Sequence, residues 1–255
     1  MCELLGMSAN VPTDICFSFA GLARRGGETG PHADGWGLTF YAGKGCRTFK
    51  DPLPAAQSKV AELVQNYPIH SKVVIAHVRQ ANSGSTCLEN THPFQRELWG
   101  RQWTFAHNGQ IQGHKKLRLG RFLPIGETDS EHAFCHLLDL LAARYRRQPA
   151  SRLMMFKRLI PHCHRLRDLG VFNALLTDGE YLLAYCATNL HYLTRRSPFH
   201  AATLKDVDWR INFAEETGTK DVVTVIATQP LPLDEPWIKM EAGEWALFHH
   251  GERCN

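Results

Sequence analysis

Apolar residues form short runs in the first half of the chain and longer helical spacings in the middle. Leu4–Met7, Trp36–Tyr41, Arg47–Lys50, Val73–Val78 and Trp103–Ala106 read as strands. Val73–Val78 (VVIAHV) is nearly all apolar, as in a strand covered on both faces. Ala55–Gln65 has helical spacing, and Gly43-Lys44-Gly45 reads as a hairpin turn. Two long helices are predicted, Ser130–Arg146 and Arg152–Leu169. The first opens on Thr128-Asp129-Ser130-Glu131, whose hydroxyls and acids suit the unpaired amides of a helix start. Pro161 is expected to kink or split the second, since it has no N–H to donate. Strands then return. Phe172–Leu176 and Tyr181–Cys186 flank Asp178-Gly179 as a hairpin, followed by His191–Thr194, Val222–Ala227 and Trp245–Phe248. Strands, then helices, then strands suit an α+β chain with helices segregated to the outer faces of its sheets.

The 255 residues show no repeat and no visible linker, so one domain is the economical reading. The composition, 44% hydrophobic and 21% charged, is that of an ordinary globular protein. The net charge of +4 is small, and neither basic cluster (Lys115, Lys116, Arg118; Arg144, Arg146, Arg147) is interleaved with aromatics. Both read as solvated faces, so no nucleic-acid partner is expected. No apolar run reaches the ~18 residues of a membrane span. The start, MCELLGMSANVPTD, lacks the pattern of a signal peptide, which points to the cytoplasm. Eight scattered cysteines without CxxC spacing argue against a disulfide framework. His162-Cys163-His164 and His132/His136 lack a full ligand set, and Gly35-Trp36-Gly37 lacks phosphate-loop spacing. No metal or cofactor is expected.

Candidate chemistry begins at Met1-Cys2. Removal of Met1 would leave a thiol and a primary amine on one residue. An α-amine titrating near pH ~7.7–8.0 can take the thiol proton, so the nucleophile needs no separate histidine. Alone, a cysteine at position 2 is a weak signal. Asn108-Gly109 follows a strand, where Asn-Gly is most often a turn; the same pair can form an oxyanion hole from a side-chain amide and a backbone N–H. Arg79 ends the apolar strand and is either a surface residue or a two-point grip for a carboxylate. Asp129 is either a helix cap or the acceptor of a substrate ammonium. Arg79 and Asp129 together describe an α-amino-acid pocket, which a nucleophile and an oxyanion hole would convert to amide cleavage.

The segments MCELLG, ARRGGETGPHADGWGLTFY, AHVRQANSG, ENTHPF, AHNGQI and GETDSE, in this order, resemble the class II glutamine amidotransferases, a branch of the N-terminal nucleophile hydrolases. They cover about half the chain, and the DGWG segment is similar to a stand-alone subgroup. The resemblance implies a four-layer αββα sandwich of two antiparallel sheets. It implies Cys2 as nucleophile, Arg79 on the glutamine α-carboxylate, Asn108 and Gly109 as the oxyanion hole, and Asp129 on the α-amino group. His92 matches a histidine in a loop near the pocket. Asn82 stands where several branches carry a substrate-holding threonine, which leaves the γ-acyl substrate open. His77 is read as structural support, turned away from Arg79.

The expectation is one glutaminase domain over residues 2–255, with Met1 removed. It would cleave the γ-amide of glutamine through a Cys2 thioester and release ammonia, with an ammonia-accepting partner protein as a possibility. The alternatives are a stand-alone hydrolase of γ-glutamyl peptides or amides, and a catalytically silent, partner-binding member of the fold. Intact mass separates the last, because a retained Met1 would block the amine.

Overall fold

A computed structural model describes residues 2–81, 84–197, 201–203, 210–212, 218–231 and 235–255. In chain order the elements are β1 (Glu3–Asp14), α1 (Cys16–Arg25), β2 (Trp36–Ala42), β3 (Gly45–Asp51), α2 (Lys59–Gln65), β4 (His70–Val78), β5 (Phe94–Leu98) and β6 (Arg101–Ile111). They continue with α3 (Asp129–Arg144), α4 (Arg152–Asp168), β7 (Gly170–Thr177), β8 (Tyr181–Tyr185), β9 (His191–Arg196), β10 (Ala201–Thr203) and β11 (Arg210–Asn212). The last are β12 (Val222–Ala227), β13 (Ile238–Lys239), β14 (Trp245–His249) and β15 (Glu252–Arg253). A seven-stranded sheet runs β13-β9-β12-β1-β4-β2-β3, a six-stranded sheet runs β15-β14-β8-β7-β6-β5, and β10 pairs with β11. The strand pairs are antiparallel.

Three apolar clusters separate four layers. Val74, Ala76 and Val78 of β4 face a cluster with Phe19 and Leu22 of α1 and Val64 of α2. Ile75 faces the other way, into an inter-sheet cluster with Leu4, Ala106, Leu175 and Leu182. Phe105 and Phe172 face α3 and α4, where they pack with Phe134, Leu138, Phe156 and Leu159. This is the αββα sandwich of two antiparallel sheets that the resemblance implied. VVIAHV is apolar on both faces because β4 has helices on one side and a second sheet on the other.

Three expectations change. α1 was not anticipated; Asp14 Oδ1 accepts from the Cys16 amide at 2.5 Å, and Ile15, Phe19 and Leu22 are buried on one face. Ala55–Gln65 divides into a 3-10 turn (Ala55–Gln57) and α2, because Ser58 becomes a cap whose side chain accepts from the Ala61 amide. Pro161 does not split α4, which is helical throughout Arg152–Asp168. Both Pro161 and Lys157, whose carbonyl loses its amide partner, lie on the exposed face, where water can replace the lost bond. Among the described residues, no helix is long and apolar enough to cross a membrane.

Candidate active site

Cys2 immediately precedes β1, in the middle of the seven-stranded sheet. Side chains alternate along a strand, so Cys2 shares the face of Leu4 and points into the inter-sheet layer. The register Glu3↔Val78 brings it beside the end of β4. There its Sγ accepts from the Gln80 amide at 3.3 Å and lies 3.4 Å from the Gln80 carbonyl, to which the thiol donates. Burial pushes the Cys2 thiol up; the Gln80 backbone contact and the Arg79 charge oppose this. The buried thiol therefore favours its protonated form.

Arg79 is buried, and its Nη1 donates to the Ser85 carbonyl at 3.1 Å. Its backbone is clamped by the segment before β2. The Arg79 amide donates to the Gly35 carbonyl (2.8 Å), the Asp34 amide donates to the Arg79 carbonyl (3.1 Å), and the Ala81 amide donates to Asp34 Oδ2 (2.7 Å). Gly37, two residues further on, allows the chain at His92 to cross β2: a Cβ there would lie 2.2 Å from the His92 carbonyl oxygen. This explains the acid and the glycines of DGWG without any phosphate. Beneath, Glu3 pairs with Arg25 at 3.4 Å, and Arg25 also donates to the carbonyls of Gln229 and Pro230.

Asn108 and Gly109 lie within β6, not in a turn after it. Asn108 shares the face of Ala106 and projects into the inter-sheet layer from the opposite sheet to Cys2. Its Nδ2 lies 3.4 Å from Thr228 Oγ1, which also accepts the Leu4 amide at 2.9 Å. One hydroxyl thus touches both the strand carrying Cys2 and the side chain of Asn108. Gly109 has φ +153°, and a Cβ there would meet the Val171 carbonyl oxygen at 1.8 Å, so only glycine fits. The Ile111 amide donates to Asp129 Oδ2 at 2.6 Å, away from β7. Alternation along β6 turns the Gly109 N–H to that same edge, beyond the reach of β5, whose pairing stops at Phe94↔Phe105.

Asp129 is the first residue of α3, while the cap itself is Thr128, whose side chain accepts from the Glu131 amide. One Asp129 oxygen is spent on Ile111. His107 secures this junction, with Nε2 3.0 Å from the Val171 carbonyl and Nδ1 2.8 Å from Ser130 Oγ. A carbonyl only accepts, so Nε2 carries the proton and the Ser130 hydroxyl donates to Nδ1. Burial lowers the His107 pKa, opposed by the Asp129 charge.

His92 lies in the loop before β5, is buried, and packs tilted against the His77 ring at 4.2 Å and the Phe94 ring at 4.4 Å. Neither ring has a hydrogen-bond partner among the described residues. Burial lowers both pKa values, that of His77 to about 3 and that of His92 well below the usual histidine range. His77 does not turn away from Arg79: positions two apart in an extended chain share a face, and the Arg79 charge further depresses the ring's pKa. Asn82 lies outside the described residues. Among those described, no group of three or more His, Cys, Asp or Glu is placed to hold a metal.

The structure thus brings Cys2, Arg79, Asn108, Gly109 and Asp129 to one end of the two sheets. Sequence reasoning missed Thr228, Ser130 and the Glu3–Arg25 pair, and His107 was seen only as part of a motif. Ser130 stood in the GETDSE segment and Arg25 in ARRGGETG, so both carried some signal; Thr228 carried none.

Comparison with known proteins identifies the family of the chain. The profile of class-II glutamine amidotransferases matches residues 1–255, and the chain belongs to that family. It is 63% identical over 253 residues, 99% of both chains, to YafJ of Escherichia coli K12, whose name assigns it only provisionally to the glutamine amidotransferases. A Haemophilus influenzae protein with a similarly provisional name is 44% identical over 253 residues, 99% of this chain and 86% of its own. The 2.0 Å crystal structure of a predicted glutamine amidotransferase from Pseudomonas aeruginosa PA01 superposes with TM-score 0.81 at 49% identity, over 100% of both chains.

Proposed function

We propose that the chain, as a single unit over residues 2–255 after loss of Met1, cleaves the γ-amide of glutamine with Cys2 as nucleophile. The observation that carries this is the convergence on one end of the inter-sheet layer. Cys2 Sγ rests on Gln80 beside Arg79, and Asn108 reaches the same Thr228 hydroxyl as Leu4. In this reading the substrate α-carboxylate pairs with Arg79 and its ammonium with Asp129. Asn82 and His92 are assigned to the surroundings of the substrate. The Cys2 α-amine takes the thiol proton as sulfur attacks the γ-carbonyl, and the oxyanion forms against Asn108 and the Gly109 N–H. The same amine returns the proton to the leaving nitrogen, the C–N bond breaks, and ammonia departs from a γ-glutamyl thioester. Water then cleaves the thioester to glutamate and regenerates the thiol.

In this reading the released ammonia is either lost to solvent or taken by an ammonia-accepting partner protein. The purified chain is assayed for glutamate release from glutamine and from a panel of γ-glutamyl peptides and amides. Turnover of glutamine that rises with added lysate supports the transferase. Faster turnover of a γ-glutamyl peptide, unaffected by lysate, supports a hydrolase. Intact mass should show that Met1 is gone, and Cys2→Ala should bind substrate without turnover. Full turnover by Cys2→Ala would overturn the reading.

A further inference from the structure

The Asn108 carboxamide has two ends and one partner. Its Nδ2 lies 3.4 Å from Thr228 Oγ1, while its Oδ1 is buried with no hydrogen-bond partner among the described residues. Thr228 Oγ1 already accepts the Leu4 amide at 2.9 Å. In this arrangement two N–H groups crowd one hydroxyl oxygen, whose own proton has no acceptor among the described residues, and a buried carbonyl oxygen goes unpaired. Each unmet buried group costs stability. The oxygen and nitrogen of a carboxamide have nearly the same shape and are assigned by their hydrogen bonds. Half a turn of the amide mends both faults: the Thr228 hydroxyl donates to Oδ1, and Nδ2 takes the buried position now without a partner. An oxyanion hole needs a donor at that position.

The geometry points to Thr228 as the positioning residue of the oxyanion hole. Its hydroxyl donates to Asn108 Oδ1 and so holds Nδ2 toward the forming oxyanion. Thr228 is suited to this because it is itself fixed on every side. Its amide donates to the Leu4 carbonyl at 3.1 Å, and its carbonyl accepts from Asn189 Nδ2 and His191 Nδ1, each at 3.0 Å. Arg25 holds the carbonyls of the next two residues. Through one hydroxyl, the strand two residues beyond Cys2 and the oxyanion donor keep a fixed spacing across the two sheets. This rests on the reading of Asn108 as an oxyanion donor.

The test is a variant cycle on glutamate release from glutamine or the best γ-glutamyl substrate. Thr228→Val keeps the shape and removes the hydroxyl. It should lower kcat about ten- to a hundredfold, part of the loss typical of an oxyanion donor, and leave KM within about twofold. Thr228→Ser should recover most of kcat. In an Asn108→Ala background, Thr228→Val should cost far less than in the wild type, since the amide it orients is gone and only the Leu4 contact is lost. Should Thr228→Val not fold, Thr228→Cys, of similar size and a weak donor, goes through the same cycle. Losses that multiply in the double variant, or a raised KM with kcat unchanged, would overturn the proposal. An active wild type with unimpaired Thr228 variants sinks this proposal alone; an inactive wild type on every substrate sinks the amide-cleavage reading with it.

Discussion

The two halves of the candidate site are held by different means. On the seven-stranded sheet, Cys2 and Arg79 are held mostly by main-chain contacts, the Gln80 amide on sulfur and Gly35 and Asp34 on either side of Arg79, with one side-chain bond from the Ala81 amide to Asp34 Oδ2. On the six-stranded sheet, Asn108 and Asp129 are fixed through side chains: Thr228 on Asn108, Ser130 and His107 across the junction with α3, and Asn173 Nδ2 on the Asn108 carbonyl. Asn173 in turn accepts the amides of Ala187, Thr188 and Asn189 on its Oδ1. Main-chain contacts survive most substitutions, because every residue but proline brings the same N–H. Side-chain contacts do not. The half proposed to carry the nucleophile should therefore be the more tolerant of substitution around it, and the half proposed to carry the oxyanion hole the more brittle.

The sharpest blow to this contrast falls on Asn108. Asn108→Ala should lower kcat for glutamate release about 10²- to 10³-fold while the protein still folds. A loss below tenfold in steady-state assays would mean that the oxyanion half is not built on this amide.

A second measurement bears on the histidines behind Arg79. His77 and His92 stay neutral in the native state, with pKa values below the unfolded value of 6.5. Above about pH 6.5 neither state takes up the proton, so these rings leave stability unchanged there. As pH falls below that toward the native value, the unfolded chain protonates first. Stability then drops by up to about 1.4 kcal/mol per pH unit for each ring. Urea unfolding at pH 7 and pH 5 should show the drop, and His92→Leu should make it shallower. An unchanged slope in the variant would show that His92 does not contribute.

Smaller effects separate main-chain from side-chain support directly. Asp34→Ala removes the acceptor of the Ala81 amide, loosens the turn that carries Arg79, and should raise KM for glutamine roughly tenfold, by loss of about 1–1.5 kcal/mol of hydrogen bonding. Gln80→Ala leaves the backbone N–H on sulfur and should keep kcat/KM within about twofold. A large loss in Gln80→Ala would collapse the contrast.

Much of this was legible because it rests on local periodicity. The two-sided burial of β4 was written in VVIAHV, and the start of α3 in its hydroxyls and acids. α1 was legible in part: Ile15, Phe19 and Leu22 have helical spacing, but Cys16–Arg25 carries no acid in its first turn and the N-cap Ile15 offers no side-chain cap. Cys2, Arg79, Asn108 and Asp129 stand out as candidates through an ordered set of motifs rather than by individual signals. Thr228 was out of reach. It follows an ordinary apolar strand, and the role proposed for it depends on folding to bring it to a residue 120 positions away. The two-residue alternation that places His77 with Arg79 was available and was misapplied.

The crossing at Gly37 carries a consequence for anyone who tries to re-engineer the pocket. Because a single methyl there would strike the His92 carbonyl oxygen at 2.2 Å, the strand and the loop passing over it are locked together like layers of a laminate. Random libraries spent on Gly37 would return collapsed protein rather than altered selectivity. The positions open to variation are Ser85 and Glu127, which meet at 3.1 Å on the exposed surface beside Arg79, where substitution leaves the laminate intact.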